Sequence, residues 1–382
     1  MRNLGDMSEV YAARRARLRD QCAAAGSAAA LVSRPANVRY LCGAVPPGAV
    51  LLLGPVQDVM VAAEVPATPP LSPPAPPPSG TPRAEEPRLL VLPGADGDPV
   101  VAAADLAAAD GAESLAVEEH DLTVARHRAL GAAAPRLRLA DLGRCVEQLR
   151  LVKDDEEISC MRIAGELADQ ALGELLESIL VGRTERHLAL ELDRRLVDHG
   201  ADGPAFPTVV AAGPNAGRPG HLPTDRRVEE GDFLSICLGA DYRGYRCQVG
   251  RTFVIGPSPA DWQVELYDAV FAAQRAGREA LSPGRAYRDV DRVTRQVLNA
   301  AGYGDALEPC TGHGVGLEID EDPRLTPSAM GKLDACVPVT VEPGVHLPGR
   351  GGVRIDDTLV VRPEADGGPE LLTITTKELL AL

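Results

Sequence analysis

The sequence predicts an α/β N-terminal domain followed by an α+β C-terminal domain. Up to about residue 145, apolar strand-like runs alternate with helical stretches. A long amphipathic helical stretch then begins, and after it strands and helices come in two similar batches. A chain of 382 residues can bury two cores, and we place the domains at 1–146 and 147–382.

In the first domain a helix is expected over residues 9–25, then strands in "AAALVS", "AVLLLG" and "RLLVLPG". Between the last two lies "PATPPLSPPAPPPSGTP", residues 66–82. Its prolines remove backbone donors and fix φ, so it reads as an extended insertion rather than a strand. "LVKDDEEISCMRIAGELADQALGELLESI" opens the second domain as a helix. Ile158, Met161, Ala168, Leu172, Leu175 and Ile179 form its apolar face, and the acids 154–157 suit its N-terminal dipole. Thr184 is the expected N-cap of a second helix ending near Gly200. Strands follow in "TVVAAG", "FLSICLGADY" and "YRCQVGRTFVIG". Ser258-Pro259 is expected to cap a helix through Trp262, Leu266 and Val270. A further helix carries Val290, Val293 and Val297, before strands in "VPVTVEPGVHL" and "GGVRIDDTLVV".

Hydrophobic and charged shares of 45% and 25% are ordinary for a globular protein. Aromatics make up 3%, so the cores rest on Leu, Val, Ile and Ala. A formal charge of −16 argues against nucleic acid as a partner. The N-terminal stretch lacks the apolar centre of a signal peptide, and no apolar run suits a membrane. The eight cysteines include no CxxC pair and read as reduced thiols, so a cytoplasmic protein is expected.

"GHGVGLEIDEDPR" sets His313 between glycines, and "TVEPGVHLPGRGGVRIDD" supplies Glu342 and Asp356 on either side of a Gly/Pro turn. Such glycines permit close approach of backbone to a ligand. By spacing alone, these residues either converge on one site or are unrelated turn and surface positions.

The order of motifs is more specific. "EQLRLVKDDEEI", "FPTVVAAGPNA", "GYRCQVGRTF", "GHGVGLEIDEDPR" and "VEPGVHLPGRGGVRIDD" resemble the pita-bread family of methionine aminopeptidases, prolidases, Xaa-Pro aminopeptidases and creatinases. Residues 17–43 resemble, more loosely, the smaller N-terminal domain of the creatinase and prolidase members. The resemblance implies a pita-bread C-terminal domain, a homodimer, and Xaa-Pro peptidase activity on a small-molecule or short-peptide substrate. Peptidase members hold two metal ions with two Asp, one His and two Glu. Those positions fall here on Cys237, Gln248, His313, Glu342 and Asp356. Two assisting histidines fall on Gly220, with His221 beside it, and on Asp320.

Four family carboxylates offset two divalent ions, whereas Glu342 and Asp356 supply two charges, or three with a Cys237 thiolate. A second ion would be left under-compensated in a dry site, so a two-metal centre is not expected. One zinc, iron or manganese ion on His313, Glu342 and Asp356 is one reading, although Asp356 is a methylene shorter than the family's Glu. No metal at all is another. Glu342 and Asp356 then repel, one keeps a proton, and His313 and His221 assist as in creatinase-like relatives. A Cys237–His313 nucleophile and base is a third, set against an inert buried thiol. Cys237, Gln248, Asp320, His346 and Arg354 are expected to line the substrate. The expected function is a divergent hydrolase of an amide or other C–N bond. The alternatives are a mononuclear-metal enzyme and a non-catalytic peptide or metabolite binder.

Overall fold

The computed structural model describes residues 4–63, 88–92, 97–178 and 180–382. The proline-rich stretch 66–82 and Ile179 lie outside the described residues. The chain divides into two compact units, Met1–Arg150 and Leu151–Leu382.

In the first unit the elements run α1 (Leu4–Ala24), β1 (Ala29–Val32), α2 (Pro35–Cys42), β2 (Val50–Leu53), β3 (Asp58–Ala62), β4 (Arg88–Val91), α3 (Pro99–Ala109), β5 (Ser114–Val117), α4 (Val124–Ala133), β6 (Arg138–Asp141) and α5 (Cys145–Arg150). The first helix begins five residues ahead of the expected start. The strands form one sheet in the order β4-β3-β2-β1-β5-β6. Strand β1 carries the buried run Ala29–Val32, because both faces of this central strand are covered. Helix α5 packs on α1 and α2, so the division falls after Arg150 rather than after residue 146.

The second unit contains α6 (Asp155–Leu176), α7 (Glu185–Asp198), β7 (Gly203–Pro204), β8 (Val209–Ala212), β9 (Phe233–Tyr242), β10 (Tyr245–Val254), α8 (Asp261–Glu279), α9 (Tyr287–Ala300), β11 (Gly312–Gly314), β12 (Glu321–Leu325), β13 (Pro338–Val341), β14 (Gly344–Leu347), β15 (Gly351–Arg354), β16 (Asp357–Val360) and β17 (Glu370–Leu371). Helix α6 starts at a capping box: Glu157 N–H donates to Asp154 Oδ1 and Asp154 N–H to Glu157 Oε2, both at 2.9 Å. Such a cap stabilises a helix by about 1 kcal/mol. Its face of Ile158, Met161, Ala168, Leu172 and Leu175 is fully buried in the core shared with β9 and β10. Thr184 caps α7 as expected, accepting from His187 N–H. Helix α8 departs from expectation. Ser258-Pro259 precedes it, and Ala260 stands at the cap. Gln263 closes the end from inside, accepting from Ala260 N–H at 2.9 Å.

Strands β9 and β10 form a hairpin of ten-residue arms. Arg243 and Gly244 turn it with φ of 54° and 81°, the signs of a type I′ turn, whose twist suits a two-residue hairpin loop. The register pairs Cys237 with Gly250 and Gly239 with Gln248, so these four positions share one face. Leu238, Val249 and Cys247 point the other way, into the α6 core. A separate sheet, ordered β12-β11-β13-β16-β17, carries His313 on β11, while Glu342 follows β13 directly. A bridge between Gly250 and Asp356 joins the hairpin to the chain just before β16.

Helix α6 tests this packing with two glycines. A Cβ on Gly165 would lie 2.3 Å from the Leu372 carbonyl oxygen, whereas one on exposed Gly173 meets nothing within 4 Å. In urea unfolding, Gly165→Ala should cost about 1–3 kcal/mol and Gly173→Ala should gain up to about 1 kcal/mol. Equal effects would contradict the close approach of α6 to the Leu372 segment.

Candidate functional site

The bridge to Gly250 fixes the centre of the site. Gly250 N–H donates to Asp356 O at 3.1 Å, and Asp356 N–H returns the bond at 2.9 Å. A Cβ on Gly250 would stand 2.4 Å from Asp356 Oδ2, so only glycine opposite Cys237 leaves room for this carboxylate. Arg251, fully buried, braces the same junction. Its Nη1 donates to Asp356 O at 2.7 Å and its Nη2 to Asp357 Oδ1 at 2.8 Å.

Arg354 ends β15 two residues before Asp356, and its guanidinium enters the pocket among the acids. Nε lies 2.9 Å from both oxygens of Asp356, and Nη2 lies 2.7 Å from Glu342 Oε2. Nη1 approaches Glu308 Oε1 at 3.4 Å. Gln248 Nε2 donates to Glu342 Oε2 at 2.7 Å, and the Cys237 thiol donates to Asp356 Oδ2 at 3.1 Å. Both hairpin residues therefore act as donors to the two acids. His313 Nδ1 faces the Gly314 carbonyl at 3.0 Å, leaving Nε2 towards Glu342 Oε1 at 3.4 Å. His346 lies between the Ala216 carbonyl, 3.0 Å from Nδ1, and Glu308 Oε1, 2.7 Å from Nε2. Its ring thus faces an oxygen at each nitrogen and bridges the 216 loop to Glu308.

Burial sets the electrostatics. Asp356 is fully buried, Glu342 is 3% exposed, and the Arg354 side chain is 27% exposed, the most open of the group. Burial pushes the Asp356 carboxyl up to about 6; Arg354 works against this rise and Glu342 adds to it. Burial opposes the Arg354 charge, but Asp356 and Glu342 more than offset it and hold the guanidinium protonated. Burial, then Asp356, drives the Cys237 thiol well above its ordinary value. It remains a thiol bonded to Asp356, in keeping with the inert buried thiol rather than the alternative Cys237–His313 nucleophile and base. For Glu308, burial is outweighed by the His346 hydrogen bond and the Arg354 charge, so its carboxyl is lowered.

The structure thus brings together Cys237, Gln248, His313, His346, Arg354, Glu342 and Asp356 from the sequence-derived set. It adds Glu308, which sequence reasoning missed, since no motif marks it. Two positions go elsewhere. His221 is neither exposed nor bonded to the two acids: its Nε2 lies 2.9 Å from Glu185 Oε2, and its side chain is 7% exposed. Glu185 also accepts from Ala212 N–H, Asn215 Nδ2 and Thr224, which ties His221 to the fastening of its loop. Asp320 pairs with Arg324 at 2.8 Å in an exposed position.

The oxygens that a metal ion would need are already engaged. Both Asp356 oxygens and Glu342 Oε2 bond to Arg354, and the residues at 237 and 248 offer hydrogens rather than lone pairs to these acids. Among the described residues, no group of three or more His, Cys, Asp or Glu is arranged to hold a metal ion.

Residues 159–363 match metallopeptidase family M24, and residues 14–152 match the creatinase/prolidase N-terminal domain. The Xaa-Pro dipeptidase of Pyrococcus furiosus is 38% identical over 235 residues, which span 62% of this chain and 66% of that relative. An uncharacterised peptidase of Bacillus subtilis is 34% identical over 279 residues, 73% of this chain and 78% of the relative. Among solved structures, an Xaa-Pro dipeptidase from Bacillus anthracis gives a TM-score of 0.86 at 29% identity, covering 97% of this chain and 100% of that one. The prolidase from Pyrococcus furiosus gives 0.81 at 27% identity, covering 94% and 99%. These likenesses show the creatinase-type N-terminal domain and the pita-bread C-terminal domain that the motifs implied.

The folded-state pKa of Asp356, about 6, lies above its ordinary 3.8. Its protonation therefore favours folding most below that ordinary value, and the contribution is lost as pH rises through about 6. Urea unfolding across this window should show a fall in stability that Asp356→Asn lacks. The same pH dependence in both proteins would contradict the assignment.

Proposed function

We propose that this chain, which belongs to metallopeptidase family M24, hydrolyses an amide or other C–N bond of a small amino-acid-like or Xaa-Pro peptide substrate without the usual two-metal centre. One observation carries the reading: the Arg354 guanidinium lies between Asp356 and Glu342, bonded to the oxygens that metal ligation would require. A protein cation then supplies positive charge to the reacting carbonyl.

An arginine has five N–H groups in a fixed fork. Arg354 directs three at Asp356, Glu342 and Glu308, leaving two for a substrate oxygen. In the proposed reaction, water attacks the carbonyl carbon as its proton passes to Glu342. The resulting oxyanion is held by the free N–H groups of Arg354. The C–N bond then breaks, and the leaving nitrogen takes the proton back from the Glu342–His313 pair. Gln248 orients Glu342, and the Cys237 thiol orients Asp356. Glu308 and His346 hold the remaining side of the Arg354 fork. All eight cysteines are free, which supports a cytoplasmic location, and family resemblance supports a homodimer.

Xaa-Pro dipeptides and small amidino or amide amino acids should be tested with the purified protein before and after chelation. Turnover should survive chelation, and Glu342→Gln should lower kcat about 10²–10⁴-fold. Turnover abolished by chelator and restored by metal would overturn the metal-free reading. Ligand-dependent stabilisation with no product would make the chain a binder.

A further inference from the structure

Away from the pocket, α8 and the C-terminal segment line a cavity of about 360 Å³, whose walls include Gln274, Arg275, Arg278, Glu279, Lys377 and Glu378. Two atoms there are shielded from solvent and lack a partner among the described residues: Gln274 Oε1 and Arg278 Nε. Gln274 is fully buried, and its amide is oriented by Nε2, which donates to Asp357 Oδ2 at 2.5 Å. Its oxygen is thus an acceptor with no donor, while Arg278 Nε is a donor with no acceptor. Buried groups in that condition are costly and are normally satisfied by a ligand or ordered water.

The local charge narrows the choice of ligand. Asp357 is shared by Arg251, 2.8 Å away, and Lys377, 3.0 Å away. Arg275 is taken by Glu279 at 2.7 Å. Among the described residues Arg278 has no such partner, and the lining cations Arg275, Arg278 and Lys377 outnumber the lining carboxylates Glu279 and Glu378. Burial, together with the nearby Arg251 and Arg278 charges, outweighs the pull of Asp357 and lowers the Lys377 ammonium. An incoming negative charge would relieve that repulsion.

We infer that this cavity binds a small oxyanion carrying its own hydroxyl, of which hydrogen phosphate is the simplest. Its negative oxygens accept from Arg278 Nε and face Lys377, while its P–OH donates to Gln274 Oε1. Sulfate has the same shape and charge at neutral pH but no hydroxyl, so it cannot make the last bond.

Inorganic phosphate and sulfate are titrated separately into the full chain by calorimetry at neutral pH and constant ionic strength. Phosphate should bind saturably and at least about 10-fold tighter than sulfate, the factor expected from one hydrogen bond to a buried acceptor. Arg278→Gln should weaken phosphate binding by at least about 10-fold, whereas Arg292→Gln, on an exposed face of α9 and paired with Asp289, should not. Equal affinity for the two anions would overturn the inference, even if the Arg278 variant failed to fold. So would the absence of saturable phosphate binding, or binding that survives loss of Arg278.

Discussion

Two buried carboxylates, Glu342 and Asp356, share a pocket with a third, Glu308, and no such cluster persists in a dry interior without a cation. Here Arg354 supplies it, with contacts of 2.9 Å to Asp356 and 2.7 Å to Glu342. Removing one partner from a buried ion pair typically costs about 3–5 kcal/mol, since the other charge is left uncompensated. The guanidinium is therefore a structural necessity of this pocket. Its side chain remains 27% exposed, so the charge is not sealed off from solvent.

The hairpin residues agree with this arrangement. Family ligands at 237 and 248 would be carboxylates, adding negative charge that a lone arginine cannot balance. Cys237 and Gln248 add none and turn a hydrogen towards each remaining acid. Gly250, paired with Cys237, keeps the space that the Asp356 carboxylate fills. The same scaffold that brings metal ligands together in a metallopeptidase thus brings together a neutral donor pair, two acids and an arginine. Local choices and pocket electrostatics point the same way, which is the consistency expected of a specified site.

Much of this fold was legible in the residues themselves. Helix α6 shows its apolar face at three- and four-residue steps and its cap at Asp154, because both signals are local. The start of α8 was misplaced because Ser258-Pro259 has the form of a cap, whereas closure comes from Gln263 inside the helix. In the site, His313, Glu342 and Asp356 could be named from ordered motifs. Arg354 was placed beside the substrate, but its service to both acids depends on packing between strands. The signal was present: residues two apart on an extended chain share a face, and Arg354 stands two before Asp356. Glu308 offered no such signal, since it reaches His346 and Arg354 across separations of 38 and 46 residues. His221 was read as entering or exposed because its partner, Glu185, lies 36 residues earlier in the chain.

Anomalous diffraction from crystals grown with manganese, then with zinc, tests the central claim most directly. The account predicts the Arg354 guanidinium between Asp356 and Glu342, with no anomalous peak at those carboxylates. A metal peak bonded to Glu342, Asp356 and His313, with Arg354 turned away, would contradict it.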